Sequence, residues 1–360
     1  MFFVFLVCTI FAVGCVGSGK ANLSTPTQAA AAQTAATQAD EAQADEIQAA
    51  EAQAVETQAA ETKAVETQTP VQPSVDTAPA AEPITITDMT GRTVTLAEPA
   101  TRIIALTAAD CENLYAIGAG DMLVGRGEYC DYPPEVLNIQ SVQSGSETNL
   151  EQIIALQPHA LLMATMDQSK EQITALENTG IHAIVSDAHN IEGVYTSIQM
   201  IGNLMGRQKQ AEDIVNKMKN DFKTVAVNAE ANKGKTVYFE VSPLQYGLWT
   251  AGSGTFMDEV AGMLGLTNCF ADVPGWGEIS EEQVIARDPD YIVTISMYFG
   301  EGPKPDEEIM TRAGWDNIKA VKNKAILNLQ NNELSRPSYR LAEGAKLLDA
   351  FINEHRDSDK

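Results

Sequence analysis

Positive charge is scarce in this sequence. Lys and Arg number 24 against 49 Asp and Glu, and the net charge is −25. A chain this acidic repels phosphate backbones, which excludes nucleic acid as a partner. Cysteine is scarce too: there are five, with no C-x-x-C pair. The four histidines, His159, His182, His189 and His355, form no cluster with carboxylates at zinc-ligand spacing. After the first fourteen residues no apolar run is long enough to span a bilayer. No Ser/His/Asp set and no paired acid and base is legible in the residue order, although such sets assemble in space. The sequence therefore carries no signature of a metal centre, a resident cofactor or an enzyme.

What is present begins with "MFFVFLVCTIFAVG", residues 1–14. This run is too short to cross a membrane but suits the core of a secretion signal. Cys15 follows Ala12, Val13 and Gly14, which resembles a lipoprotein cleavage site where Cys15 becomes the lipidated first residue. No Lys or Arg precedes the run, a departure from the usual positive end of a signal. The alternative is an ordinary cleaved signal with a chance cysteine. Residues 15–83 read as a tether. From 22 onward they are almost all Ala, Gln, Glu and Thr, with glutamates at 41, 46, 51, 56, 61 and 66. A period of five drifts around a helix and builds no face, and there is nothing large and apolar to bury.

From "ITITDMTGRTVTL" onward the pattern is that of a folded body. Two alternating segments around a glycine turn predict a hairpin over residues 84–96. Strand-like and helix-like stretches then alternate, as in a mostly parallel α/β sheet. The rhythm breaks over residues 191–232, where Val194, Ile198, Ile201 and Met205, then Ile214, Met218 and Phe222, keep helical spacing without proline. One long helix is expected there, bridging an N-terminal lobe (84–190) and a C-terminal lobe (233–360). In "AGSGTF" a glycine-rich loop precedes a helix; it either holds an anion or is a turn with Thr255 as helix cap and Asp258 three residues on.

The two lobes repeat one unit. "NLEQIIALQPHALLM" and "EEQVIARDPDYIVT" align Glu151 with Glu282, Gln152 with Gln283, Ile154 with Ile285 and Pro158 with Pro289. Each is a short helix, a proline and a buried strand, with a glutamate in the first helical turn. The helix dipole alone favours an acid there.

The stretches "RIIALTAADCENLYAIGAGDMLVGRGEYCDYPPE", "NLEQIIALQPHALLM", "TAGSGTFMDEVAGMLGLTN", "GWGEISEEQVIARDPDYIVT" and "RPSYRLAEG" resemble, in order and over nearly the whole body, the substrate-binding proteins of ABC importers for cobalamin, ferric siderophores and haem. The resemblance implies a periplasmic-binding-protein-like α/β fold of two Rossmann-like lobes bridged by one long helix, with the ligand in the cleft between them. It implies partners: a permease and its ATPase, with Glu151 and Glu282 docking onto permease arginines. It also implies a place, the extracytoplasmic face of the membrane, where the lipid on Cys15 would hold the protein.

By the same resemblance, Tyr129, Trp249, Trp276 and Arg336 fall at ligand positions in the cleft. Tyr246, Tyr298, Arg126 and Met166 are weaker additions. Flat rings suit a macrocycle or a catecholate, and a guanidinium suits an anionic group. Each aromatic equally suits core packing. Cobalamin binders carry further tryptophans near the places of Gly145 and Ala164, and both are absent here. An iron–siderophore or cobalamin-type ligand is expected, with haem third. A surface hydrolase on a similar two-lobed frame is the alternative class, and a ligand-presenting sensor a third. Cys111 and Cys130, both in the first lobe, pair outside the cell or remain buried thiols.

Overall fold

The structure is a computed structural model that describes residues 83–145, 148–165, 170–296, 302–329 and 332–358. The expected signal, Cys15, the tether, Met166 and Tyr298 lie outside the described residues.

The body opens on the expected hairpin, β1 (Ile84–Thr87) paired antiparallel with β2 (Thr93–Leu96). Asp88 closes its turn by accepting from the backbone of Thr90 and Arg92, and Arg92 reaches on to the carbonyl of Ala183. The hairpin is thereby fastened to the first lobe.

That lobe follows as β3 (Ile103–Ala105), α1 (Ala108–Ala116), β4 (Leu123–Gly127), β5 (Ser141–Val142), α2 (Leu150–Ala155), β6 (Ala160–Met163), α3 (Lys170–Glu177) and β7 (His182–Val185). Its five strands run in the order β5-β4-β3-β6-β7, all parallel. The order reverses between β3 and β6, which is the doubly wound, Rossmann-like arrangement. Such sheets bind ligands beyond the carboxyl ends of their strands at that point.

Next come α4 (Ile191–Leu204) and α5 (Gln208–Val225). The single helix expected over 191–232 is thus two helices and a closing 3-10 turn (Ala226–Asn232). Gly206 makes the break. It has φ 63°, the left-handed region, and its amide and that of Arg207 bond back to Asn203 and Gly202. These two bonds satisfy carbonyls that a continuing helix would have used. The helices then pack tightly: a Cβ on Gly202 would lie 2.4 Å from that of Ala211.

The second lobe comprises β8 (Thr236–Ser242), β9 (Leu248–Ala251), α6 (Phe256–Met263), β10 (Thr267–Asn268), β11 (Trp276–Ile279), α7 (Glu281–Arg287), β12 (Tyr291–Thr294), α8 (Pro305–Met310), α9 (Lys319–Lys322), β13 (Ile326–Asn328) and α10 (Leu341–Ser358). Its sheet has the order β11-β9-β8-β12-β13, with β10 beside β8. β8, β12 and β13 are parallel, and β9 and β11 form an antiparallel edge.

Alternation along the strands divides the core in three. Ile104, Leu161 and Val185 fill a cluster on the outer face of the first sheet. Tyr238, Ile292 and Trp315 do so for the second. The other faces, with Ile103, Ala105 and Leu162 from one lobe and Val237, Phe239 and Val293 from the other, join one cluster through Ile198, Ile201, Met218 and Phe222 of α4 and α5. The lobes therefore share a core across the helix pair.

Candidate functional site

The loops after β3, β4, β5 and β6 enclose a hollow of about 220 Å³ lined by Leu106, Thr107, Ala108, Tyr129, Ser144, Gly145 and Ala164. Every lining residue stands just past the carboxyl end of a parallel strand, and those after β3 and β6 flank the point where the strand order reverses. The walls are small: Gly145 has nothing within 4 Å of where a side chain would begin. Leu106 and Tyr129 are the larger exceptions, and Tyr129 is 78% exposed.

Beneath Thr107 lies Asp110, in the first turn of α1. Thr107 caps the helix by accepting from the Asp110 amide and donates its hydroxyl to the Asp110 carboxylate at 2.6 Å. Burial pushes the Asp110 carboxyl up to about 6, against the hydrogen bonds from Thr107 and Ser186 and with help from the charge of Asp187.

The second lobe contributes the ribbon β9–β11. Trp249 opposes Glu278, and Trp276 stands two residues from Glu278 on the same strand. Paired residues and residues two apart share a face, so both indole rings lie on one side of the ribbon. Each is 40% exposed. Trp276 meets Phe256 edge to face at 5.5 Å, and the Phe256 amide donates to the carbonyl of His189 in the segment that leaves the first lobe. The ribbon's rings therefore sit beside the junction of the lobes. Tyr246 is exposed in the 3-10 turn after β8. "AGSGTF" turns out to be a capped helix start: Thr255 accepts from the Asp258 amide.

Both arginines are engaged within the protein. Arg126 spends one guanidinium nitrogen on the carbonyls of Gly127, Glu128 and Cys130, which shapes the turn that carries Tyr129. Arg336 has found its anions within the protein. Its Nη1 donates to Glu112 at 3.0 Å and to Asp131 at 2.6 Å, and its Nη2 donates to the carbonyl of Tyr129 at 3.2 Å. Glu112 also receives Arg340, at 3.3 Å, and the hydroxyl of Ser338. Burial pushes the Glu112 carboxyl up while Ser338, Arg336 and Arg340 pull it down. Arg340 stacks on Tyr132 at 3.9 Å, and the Tyr339 amide donates to Asn113. One cluster thus fastens the segment 336–340 of the second lobe to α1 and the Tyr129 turn of the first. Glu112, Asp131 and Arg340 are absent from the reading of the sequence. The only local sign was the run "DCEN", polar yet buried at the start of a helix.

The repeated units match closely. In α2, Asn149 caps by accepting from the Gln152 amide; in α7, Ser280 does so from Gln283. Glu151 and Glu282 are both exposed in the first turn, followed by exposed Ile154 and Ile285. Both helices end in a left-handed residue, Gln157 at φ 47° and Asp288 at φ 45°, before the buried prolines. A hydrogen bond with Ser280 lowers the Glu282 carboxyl pKa, so it is charged. Its neighbour Glu281 is occupied, accepting from the Trp315 indole at 3.0 Å.

Histidines 159, 182 and 355 are partly buried, His355 between the carbonyls of Phe351 and Lys324. His189 is 68% exposed, 3.7 Å from Asp187. Among the described residues no group of three or more His, Cys, Asp or Glu is arranged to hold a metal ion.

The family model for periplasmic binding protein matches residues 103–333. The chain is 33% identical over 257 residues to the uncharacterized ABC transporter substrate-binding lipoprotein YvrC of Bacillus subtilis, covering 70% of this chain and 79% of that one. It is 31% identical over 255 residues to the vitamin B12-binding protein of Salmonella choleraesuis, covering 69% and 89%. Among solved structures, a possible iron-binding (periplasmic solute-binding) protein from Staphylococcus epidermidis superposes with TM-score 0.59 at 30% identity, over 71% of this chain and 99% of that one.

Proposed function

The chain belongs to the periplasmic binding protein family and is a substrate-binding protein of the ABC importer kind; from that premise we propose what it carries and where. It is a lipoprotein on the extracytoplasmic face of the membrane, anchored through Cys15. It captures an iron–siderophore or cobalamin-type ligand between its lobes and delivers it to a permease and ATPase. The observation that carries this reading is the set of large rings left in water: Tyr129 on one lobe, Trp249 and Trp276 on the other. Exposed aromatics on facing lobes gain most when a flat or macrocyclic ligand covers them. Tyr246 adds a fourth exposed ring. Tyr298 and Met166 belong to the same set of ligand contacts. Arg126 and Arg336 serve the ligand by holding the Tyr129 turn.

Delivery uses Glu151 and Glu282. Two exposed carboxylates, one per lobe and each at a helix start, form a two-point docking pair for cationic groups, and arginine forks match them best. Ile154 and Ile285 widen each point with an apolar contact. Similarity to binding proteins favours this reading over the hydrolase. Haem is a second reading, favoured by exposed His189 at the lobe junction.

The test is capture. Purified protein is titrated with cyanocobalamin, ferric hydroxamate and catecholate chelates and haemin, following tryptophan fluorescence. One ligand is expected to bind, and Trp276→Ala to weaken it about tenfold for the loss of one stacked ring. A Soret shift abolished by His189→Ala would select haem. Saturation by none of these compounds would sink the proposal.

A further inference from the structure

Two cysteines of the first lobe remain unexplained by the site. Cys111 in α1 and Cys130 in the turn after β4 are both fully buried. Their thiols point at one acceptor, the carbonyl of Ala105, at 3.7 Å and 3.8 Å. Cys269, the third described cysteine, is in the other lobe. In the chain, Cys111 stands directly before Glu112, and Cys130 directly before Asp131. Those two carboxylates grip Arg336. Cys130 also directly follows Tyr129, whose carbonyl takes the other arm of Arg336.

We propose that Cys111 and Cys130 form a disulfide in the mature protein, and that this bond sets the first lobe's half of the Arg336 clamp. It joins α1 to the Tyr129 turn at the residues next to the two acids, so both acids meet the guanidinium in a fixed geometry. The inference rests on the extracytoplasmic location given above, because disulfides persist in oxidising compartments.

In the bond-forming step each thiol loses its proton and the two sulfurs join. The electron pair passes to the disulfide of an exchange partner, which leaves as a dithiol. The attacking group is a thiolate. In the folded lobe the neighbouring Cys130 and burial hold the Cys111 thiol well above its ordinary pKa. The bond therefore forms while the lobe is still folding, and burial then shields it from reductants.

The direct test uses the full chain extracted from its native membrane, acid-quenched, denatured and alkylated without reductant. Digestion is expected to yield the Cys111 and Cys130 peptides joined, lighter by two hydrogens than the separate pair, with Cys269 alkylated. Alkylation of all three would overturn the proposal. In a second measurement, unfolding in the presence of reductant is expected to lower the wild-type melting point by about 5 °C or more, and to leave the Cys111→Ser/Cys130→Ser variant unchanged. Equal response of both proteins would likewise overturn it. Ligand capture by the same sample separates the two proposals. Joined peptides in a protein that binds none of the chelates uphold the bond and sink the delivery reading. Free thiols in a protein that binds one sink the bond alone.

Discussion

Arg336 holds two carboxylates of the opposite lobe with the same nitrogen, and their relative strengths can be worked out. Distance favours Asp131, at 2.6 Å against 3.0 Å for Glu112. Burial favours Glu112, whose side chain is 0% exposed against 42% for Asp131. Coulomb energy scales inversely with both separation and effective dielectric. The separations differ by less than a fifth, whereas the dielectric falls severalfold from surface to interior, so burial decides. Exposed pairs contribute about 0.2–1 kcal/mol, and breaking a buried pair costs about 3–5 kcal/mol. Glu112 keeps Arg340 and Ser338 when Arg336 is removed, which places its coupling at or just below the low end, about 2–3 kcal/mol. Double-mutant cycles of Arg336→Ala with Glu112→Gln and with Asp131→Ala isolate the two terms, because the lost bond to the Tyr129 carbonyl is common to both. Urea unfolding at constant m supplies the free energies. Equal couplings, or a larger one for Asp131, would refute the reasoning and move the clamp's strength to the surface.

Asp110 sets a pH dependence of unusual sign for a carboxylate. With its folded pKa raised from 3.8 to about 6, the native state holds a proton that the unfolded chain has released, so this group's contribution to stability falls as pH rises from about 4 to 6. Asp110→Asn is expected to stabilise the body by about 3 kcal/mol at pH 7.5 and hardly at all at pH 4; denaturant midpoints check this, and equal effects at both pH values would contradict it. Glu151→Ala with Glu282→Ala is expected to reduce cellular ligand uptake to background at unchanged ligand affinity in solution, since both acids are exposed and outside the hollow; a parallel loss of affinity would remove the docking role.

The elements that sequence reasoning located are those that local rules determine. The hairpin over 84–96, the two helix–proline–strand units and the Thr255 cap each rest on neighbours within a few residues. The break at Gly206 was in reach. The apolar spacing lapses after Met205 and resumes only at Ile214, and a glycine sits in the gap. The helical period is the same on both sides of the gap, which hides the change of phase. The clamp was out of reach. Arg336 meets Glu112 and Asp131 across 224 and 205 residues, and nothing near "RPSYR" names those acids. An arginine in such a place does call for an anion, but only three-dimensional packing tells an internal carboxylate from a bound ligand. The positions of the rings came from the family resemblance; the face of the ribbon that Trp249 and Trp276 share is set by the register of β9 and β11.

The apolar cluster that runs from the first sheet through α4 and α5 into the second has a bearing on how such a body can change over time. Neither half is a portable module. A first half ending at the turn after α5 would leave the surface of Met218 and Phe222 bare of α10, and a second half alone would lose the floor beneath Val237 and Phe239. New ligand preferences therefore have to arise in the loops at the strand ends, where small walls such as Ser144 and Ala164 leave room for substitution, while the frame that carries them is inherited whole.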